Sequence, residues 1–378
     1  MLEILRKWPL MDDLMRARYW RHLVKYGQRK SLEAAPGNME APIDFVVTWV
    51  DGSDPCWRAE KENREPAEIR GDGRDNGDAR YRDWGLFPYW FRAVEAYAPW
   101  VRRVYLVTCG QVPGWLNLDH PKLKLVTHRD ILPGEALPTF NSNAIEMNLH
   151  RIPGLSEYFV YFNDDMFLNR PAQPEDFFRG GLPNLTALAR PLVNESNSAF
   201  DHGRYTVCGT INRAFQGRIG QRIECHPEKW FADCYGNELA YNLRAAQANY
   251  LPGMYFSHLP VPFRKSSFEG VWRAFPRLMA ETTAHRFRTA QDAMHQIFSL
   301  WDMLEGRFCP VSPAHHGALF WDPVGQEAEL TDAVVRGGHL AICINDSEMV
   351  SPADYLALKD RLHHGFLSVF PEKSNFEK

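Results

Sequence analysis

IDFVVTWVDGSDPCW (Ile43 to Trp57) and YFVYFNDDMF (Tyr158 to Phe167) decide the reading of this chain. In each, an apolar, β-branched and aromatic run stops abruptly at carboxylates. A buried strand has this pattern when it delivers acids to the C-terminal edge of a sheet, where open α/β sheets bind their ligands. Unpaired carboxylates beside a core are costly, so acids at that edge hold a metal or polarise a substrate. The two strings therefore imply an active site that handles charged, phosphorylated material.

The segments around them alternate. Asp44 to Val50 reads as the first strand, Arg103 to Thr108 as the second, Leu123 to Thr127 as the third, and Phe159 to Phe162 as the strand that ends at the acids. Tyr89 to Tyr97 reads as a helix with Pro88 in its first turn, and Ser142 to His150 as another, capped by Asn141 or Ser142. Strands alternating with helices predict a mostly parallel, Rossmann-like α/β sheet flanked by helices. Gly180 to Tyr250 has no clean period and predicts mixed loops and short helices inserted over the site. Phe268 to Met279 and Ala290 to Leu304 read as helices, Leu340 to Ile344 as a last strand, and Asp354 to His363 as a closing helix. The expected division is an N-terminal basic amphipathic segment and linker (1–40), a catalytic α/β domain (41–348) with a less regular insertion near 180–250, and a C-terminal helix and tail (349–378).

The chain has 378 residues, is 45% hydrophobic and carries a net charge of -4. That supports a large core and gives no basic excess, which argues against nucleic acid as a partner. Seven cysteines without a CxxC pair or a secretory signal read as reduced thiols of a cytosolic protein. No apolar run approaches the roughly 18 residues of a membrane span. The first thirty residues mix Leu, Met and Trp with Lys and Arg. They fit a basic amphipathic helix on a membrane surface or a partner, or a helix packed on its own domain.

Several short motifs carry candidate chemistry. TWVDGSD places Asp51 and Asp54 around a glycine turn, where they could fix a nucleotide or a metal or simply cap the next element. Arg80 and Arg82 of RYRD suit phosphate. Asn141 and Asn143 of LPTFNSNAIE could read sugar hydroxyls, or cap a helix. Asp164 and Asp165 of FNDD resemble the acid pair with which nucleotide-sugar transferases hold Mg²⁺ or Mn²⁺ on a diphosphate, since hard cations prefer carboxylate oxygens. His258, framed by prolines in FSHLPVPFRKS, is a candidate acid, base or phosphate partner, with Lys265 downstream. Arg286 and Arg288 would point together at a phosphate if HRFR is strand-like. INDS offers Asn345 and Asp346 after the last strand, and the pairs His315–His316 and His363–His364 stay unassigned.

Taken together and in order, these blocks resemble the Stealth family, which includes bacterial capsular polysaccharide phosphotransferases and the animal lysosomal-enzyme N-acetylglucosamine-1-phosphotransferase. The resemblance rests on IDFVVTWVDGSDPCW, on the stretch from RYRD to YFVYFNDDMF, on HLPVPFRK through RFR to Asp292, and on AICINDS. Two departures stand out. Trp84, Leu86 and Phe87 follow RYRD where the family has polar residues, and Ser347 replaces the last acid of NDD in the fourth block, which weakens Asp346 as a metal ligand. The resemblance implies a GT-A-like fold and transfer of a hexose- or N-acetylhexosamine-1-phosphate from a UDP-sugar to an oligosaccharide or polysaccharide acceptor, with release of UMP. Under it Asp51, Asp165, His258 and Arg288 are the catalytic candidates. Asp54, Arg82, Asn141, Asn143, Lys265 and Arg286 are candidates for substrate binding, and Asp164, Asp165 and Asp346 for a divalent metal, Mg²⁺ or Mn²⁺. The expected location is cytoplasmic, with possible peripheral contact at the inner membrane face. The rival readings are a metal-dependent glycosyltransferase that releases UDP, a non-catalytic scaffold of polysaccharide assembly, and a metal-dependent nuclease disfavoured by the charge.

Overall fold

A computed structural model describes residues 9–33, 37–66, 76–194, 198–346 and 350–378. After a helix at Pro9–Glu33, the strands in chain order are β1 (Ile43–Thr48), β2 (Val104–Thr108), β3 (Leu123–Thr127), β4 (Tyr158–Asn163), β5 (Met166–Leu168), β6 (Phe178–Arg179), β7 (Leu182–Leu185), β8 (Val261–Arg264), β9 (Cys309–Pro310), β10 (Ala318–Phe320) and β11 (Ala341–Ile344). The main sheet has the order β3-β2-β1-β4-β8. Its first four strands are parallel and β8 runs antiparallel to β4. This is the mostly parallel α/β sheet that the alternating pattern predicts.

The chain builds outward from β1 to β2 and β3, then returns to place β4 on the other side of β1. That reversal makes the carboxyl ends of β1 and β4 a switch point, with Thr48 in register with Asn163. Both strands are covered on both faces, which is why they read as continuous hydrophobic runs. Phe45, Val47, Val160 and Phe162 pack in the layer of the helices Phe87–Tyr97, Glu327–Arg336 and Pro352–Val369. Val46, Phe159 and Tyr161 pack in the opposite layer, with the inserted helices and the helix Gln296–Leu304. Asp44 is the exception inside β1. Its fully buried carboxylate takes Arg102 Nε at 2.8 Å and the Ser156 amide at 2.7 Å, at the end of the strand remote from the switch point.

A second sheet, β10-β11-β5, grows out of the acid turn. β4 ends at Asn163, Asp164 and Asp165 make the turn, and β5 departs to pair antiparallel with β11. The Ile344 amide donates to the Asp165 carbonyl at 2.9 Å, so the end of β11 is tied to that turn.

Some elements differ from the sequence expectation. The insertion is mainly helical, with helices at Ala199–Ala214, Ile219–Cys225, Pro227–Trp230 and Leu239–Ala248. Pro276 divides the helix expected over Phe268–Met279 into Lys265–Ala274 and Pro276–Ala284, and residues 290–295 are not helical. The N-terminal helix packs part of its length on its own chain. Gly27 lies so close to Pro227 that an added Cβ would sit 2.2 Å from the carbonyl oxygen, and Trp20, Leu23 and Val24 join the core, while Asp13 to Tyr19 stay exposed. Among the described residues no helix is long and apolar enough to cross a membrane.

The C-terminal segment, set apart in the sequence reading, is part of the core. Leu358, Leu362 and Phe366 are buried, Arg92 pairs with Glu377, and Phe376 packs on Phe91. Phe366 stacks on Tyr89 at 5.4 Å and meets Phe167 at 4.9 Å. Phe366→Ala is expected to lower unfolding stability by about 3–4 kcal/mol. Denaturant titration checks this, and an unchanged midpoint would make the tail an appendage.

Candidate active site

The carboxyl ends of β1, β4, β10 and β11 open into one cavity of about 1000 Å³. Asp164, Asp165, His258, Arg288, Arg82, Asp346, Asn143 and Asp83 all line it. Residues from six separated stretches of sequence thus meet where the switch point predicts a ligand.

The acids define its centre. Asp164 is pushed well above the usual carboxylate range, first by burial and then by the neighbouring charges of Asp165 and Asp83. His258 approaches Asp165, with Nε2 to Oδ2 at 3.4 Å. The other oxygen, Asp165 Oδ1, is sealed from solvent and lacks a conventional hydrogen-bond partner. The Cys343 thiol lies beside this carboxylate; burial pushes the thiol up, and the carboxylate adds to the effect.

Beside this centre is a second buried chain of polar groups. Glu146 Oε2 meets His295 Nδ1 at 2.9 Å, Tyr161 donates to Glu146 Oε1 at 3.2 Å, and Thr48 shares a 3.1 Å hydrogen bond with Tyr161. Burial works against charge on Glu146, but His295, Arg288 and Tyr161 outweigh it and hold the carboxyl below its usual range. Glu146 and His295 both line the cavity. Arg288 reaches the helix Ser142–Glu146 that carries Glu146, its guanidinium 2.9 Å from Ser142 Oγ.

The end of the cavity near β1 is aromatic. Trp57, Phe140 and Phe287 form a cluster with Val50 and Tyr81, and Trp57 lies 5.0 Å from Tyr81 between ring centres. Gly52 makes this possible, because a Cβ there would lie 2.0 Å from the Tyr81 carbonyl oxygen. His128 also lines the cavity, its pKa lowered by burial to about 4.

Several sequence-predicted residues have other partners. Asp51 accepts from the Ser53 amide and hydroxyl, forming an Asx-type turn. Asp54 caps the helix Pro55–Arg64, and Gln111 followed by the Cys56 amide holds its carboxyl below the usual range. Neither side chain lines the cavity. Asn141 is fully buried, caps the helix Ser142–Glu146, and donates to Asp292 at 2.8 Å, so it does not reach a sugar. Asp292 is the hub of this wall, also accepting from Asn143, Thr289 and His285.

The two arginines of HRFR diverge because the segment is not a strand. Arg288 faces the cavity, while Arg286 donates to the carbonyls of Glu135 and Leu137. Arg82 and Asp346, expected on phosphate and on metal, bind each other through two hydrogen bonds of 2.7 and 2.5 Å, with Trp84 Nε1 on the same carboxylate at 3.2 Å. The turn after Asp346, with Ser347, lies outside the described residues. Lys265 is at the wrong edge. β8 pairs Arg264 with Tyr158 at the start of β4, roughly 20 Å of strand from Asp164.

Sequence reasoning passed over Glu146 and His295. Glu146 sits four residues after Ser142 on one helix face, a usable signal. His295 carries no local one, because only the fold brings it to Glu146.

With this geometry in place, the comparisons decide the family. Family models match residues 41–68 as Stealth protein CR1, conserved region 1, 80–184 as CR2, conserved region 2, and 257–300 as CR3, conserved region 3. The chain is 38% identical over 338 residues to a capsular polysaccharide phosphotransferase of Streptococcus pneumoniae, covering 89% of this chain and 99% of the relative. The chain belongs to the Stealth family. It is also 40% identical to an exopolysaccharide phosphotransferase of Lactiplantibacillus plantarum, over 89% of this chain and 96% of that one. A receptor polysaccharide phosphotransferase of Streptococcus oralis is 35% identical over 89% of the chain and 99% of its own length. The second and third matched regions supply Asp164, Asp165, His258, Glu146, His295 and Arg288, which the fold collects around one cavity.

The crowding of acids predicts a pH signature in metal-free protein. A carboxyl raised in the folded state binds more protons folded than unfolded, so its charge weakens the fold as pH rises above about 4. Asp164→Asn removes that repulsion. The variant is expected to melt above wild type at pH 7, and the difference is expected to shrink towards zero near pH 4. Thermal melts in chelator across that range check it, and a variant that melts below wild type at pH 7 contradicts it.

Proposed function

We propose that this chain is a phosphotransferase of polysaccharide synthesis. In this reading it moves a hexose- or N-acetylhexosamine-1-phosphate from a UDP-sugar to a hydroxyl of an oligosaccharide or polysaccharide acceptor and releases UMP. The names of the family relatives support phosphotransfer in polysaccharide synthesis. The observation that carries the finer reading is the meeting of Asp164, Asp165, His258 and Arg288 at the switch point of the sheet.

The donor set fits a hard divalent cation. Asp164 and Asp165 present oxygens, and their mutual repulsion is of the kind a cation relieves. Asp164 and Asp165 would hold Mg²⁺ or Mn²⁺. Asp346 would join only by giving up Arg82, so it serves better as the anchor of that arginine. When bound, the cation supplies positive charge to the diphosphate oxygens.

The uridine would lie against the aromatic wall of Trp57, Tyr81 and Phe140, in a GT-A-like arrangement over the end of β1. Arg288 faces the cavity as a cation for the diphosphate, steadied by Ser142. Asn143 is the amide of the FNSN motif that remains on the cavity wall to meet the donor sugar. With Asp165 holding Nε2 of His258, Nδ1 takes the proton from the acceptor hydroxyl. The acceptor oxygen bonds to the phosphorus that bears the sugar, the bond from that phosphorus to the bridging oxygen breaks, and the electron pair leaves with UMP. Such a transfer relies on positioning and charge rather than covalent catalysis. Exposed Leu14, Met15 and Tyr19 on the arginine-bearing N-terminal helix support peripheral contact with a membrane as the site of the acceptor.

Incubation with UDP-N-acetylglucosamine and related donors, a polysaccharide acceptor and Mg²⁺ or Mn²⁺ is expected to yield UMP, and chelator is expected to stop it. Separation of UMP from UDP checks this, and UDP as product means glycosyl transfer instead. Asp165→Ala is expected to lower turnover by about 1000-fold or more with an unchanged far-UV spectrum. Retained activity removes Asp165 from the mechanism.

A further inference from the structure

Most of the described aromatic residues are packed away, and the exposed tyrosines, Tyr19, Tyr26, Tyr205 and Tyr250, do not line the cavity. Of its 12 tryptophans, Trp321 alone is exposed among the described residues, at 51%, and of its 23 phenylalanines Phe200 alone, at 36%. These two come from unrelated parts of the fold. Trp321 follows β10 at the edge of the second sheet, and Phe200 lies in the first turn of the inserted helix Ala199–Ala214. Yet their ring centres are 6.4 Å apart and both line the cavity. The Trp321 ring is also nearly parallel to His258, at 6.2 Å and 20°. Leaving an aromatic face in water forgoes the free energy of its burial. Two such faces side by side at a cavity mouth form a surface suited to a ligand with a flat apolar side.

The position along the sheet edge says which ligand. The aromatic wall of Trp57 and Tyr81 lies at the β1 end, the acids follow at β4, and His258 with Trp321 lies beyond Asp165, on the β8 side. In an in-line displacement the attacking and leaving oxygens sit on opposite sides of phosphorus. If the nucleotide leaves towards β1, the attacking hydroxyl arrives from the side of His258 and Trp321. We propose that Trp321 and Phe200 form the acceptor subsite, stacking against the C–H face of a pyranose ring and presenting one of its hydroxyls to His258. The assignment rests on the phosphotransfer reading above for its orientation, and neither residue falls in the three matched family regions.

The test separates binding from chemistry. Saturation-transfer NMR with methyl β-galactopyranoside and methyl α-glucopyranoside is expected to show both binding to wild-type protein, while acyclic mannitol does not. Trp321→Ala and Phe200→Ala are each expected to weaken the signal, and Trp321→Phe to retain most of it. In the transfer assay, Trp321→Ala is expected to raise the KM for a pyranoside acceptor about tenfold while the KM for the UDP-sugar holds. Thermal melts of the variants report any loss of folding. Pyranoside signals that are unchanged in both alanine variants, or absent from the wild type, overturn the subsite. Pyranoside binding lost on Trp321→Ala in a protein that releases UDP instead keeps the subsite and discards the phosphotransfer reading.

Discussion

Everything at the site depends on the parallel pairing of β1 with β4. The two strands come from distant stretches of sequence, yet Thr48 and Asn163 are in register. Their buried faces, Phe45 and Val47 beside Val160 and Phe162, hold that register, because a one-residue slip would turn each set to the wrong layer. With the strands locked, the acids that follow β4 must project at the switch point. The turn at Asp164 and Asp165 also starts the second sheet, so the same pairing places the ends of β10 and β11 beside the acids.

Charge is arranged around that constraint in pairs. Arg82 holds Asp346, His258 approaches Asp165, and His295 balances Glu146 in a nearly dry setting. Asp164 stands apart, raised first by burial and then by the carboxylates of Asp165 and Asp83. A buried charge with a partner resists change, whereas crowded acids gain from an incoming cation. The paired groups thus form the frame of the cavity, and the crowded acids are the part suited to a cationic ligand. The aromatic groups divide in a similar way, with most of them in the core and Trp321 and Phe200 left open beside His258.

Much of this was legible in the sequence. The strands were readable because apolar runs that end in turn residues have few alternatives. FNDD stands out because it ends such a run, and His258 because prolines frame it. The misreadings have specific causes. Asp51, Asp54 and Asn141 match both a ligand contact and a local turn or cap, and nearby amides satisfied them first. Arg286 and Arg288 point together only on a strand, which residues 285–288 do not form. Lys265 follows a strand whose antiparallel direction carries it away from the acids, and strand direction is not written in a four-residue run.

The sequence by itself determined the alternation of strands and helices, the acids at the end of β4, and the family, because these depend on local pattern and on motifs in fixed order. Only the tertiary structure decided which charges neutralise one another. Arg82 and Asp346, Glu146 and His295, and Asp165 and His258 are far apart along the chain and carry no mutual signal. Their pairing follows from sheet order and from the packing of two layers on a twisted sheet. The energy of a charge depends on what surrounds it in space, and sequence neighbours supply only part of that surrounding.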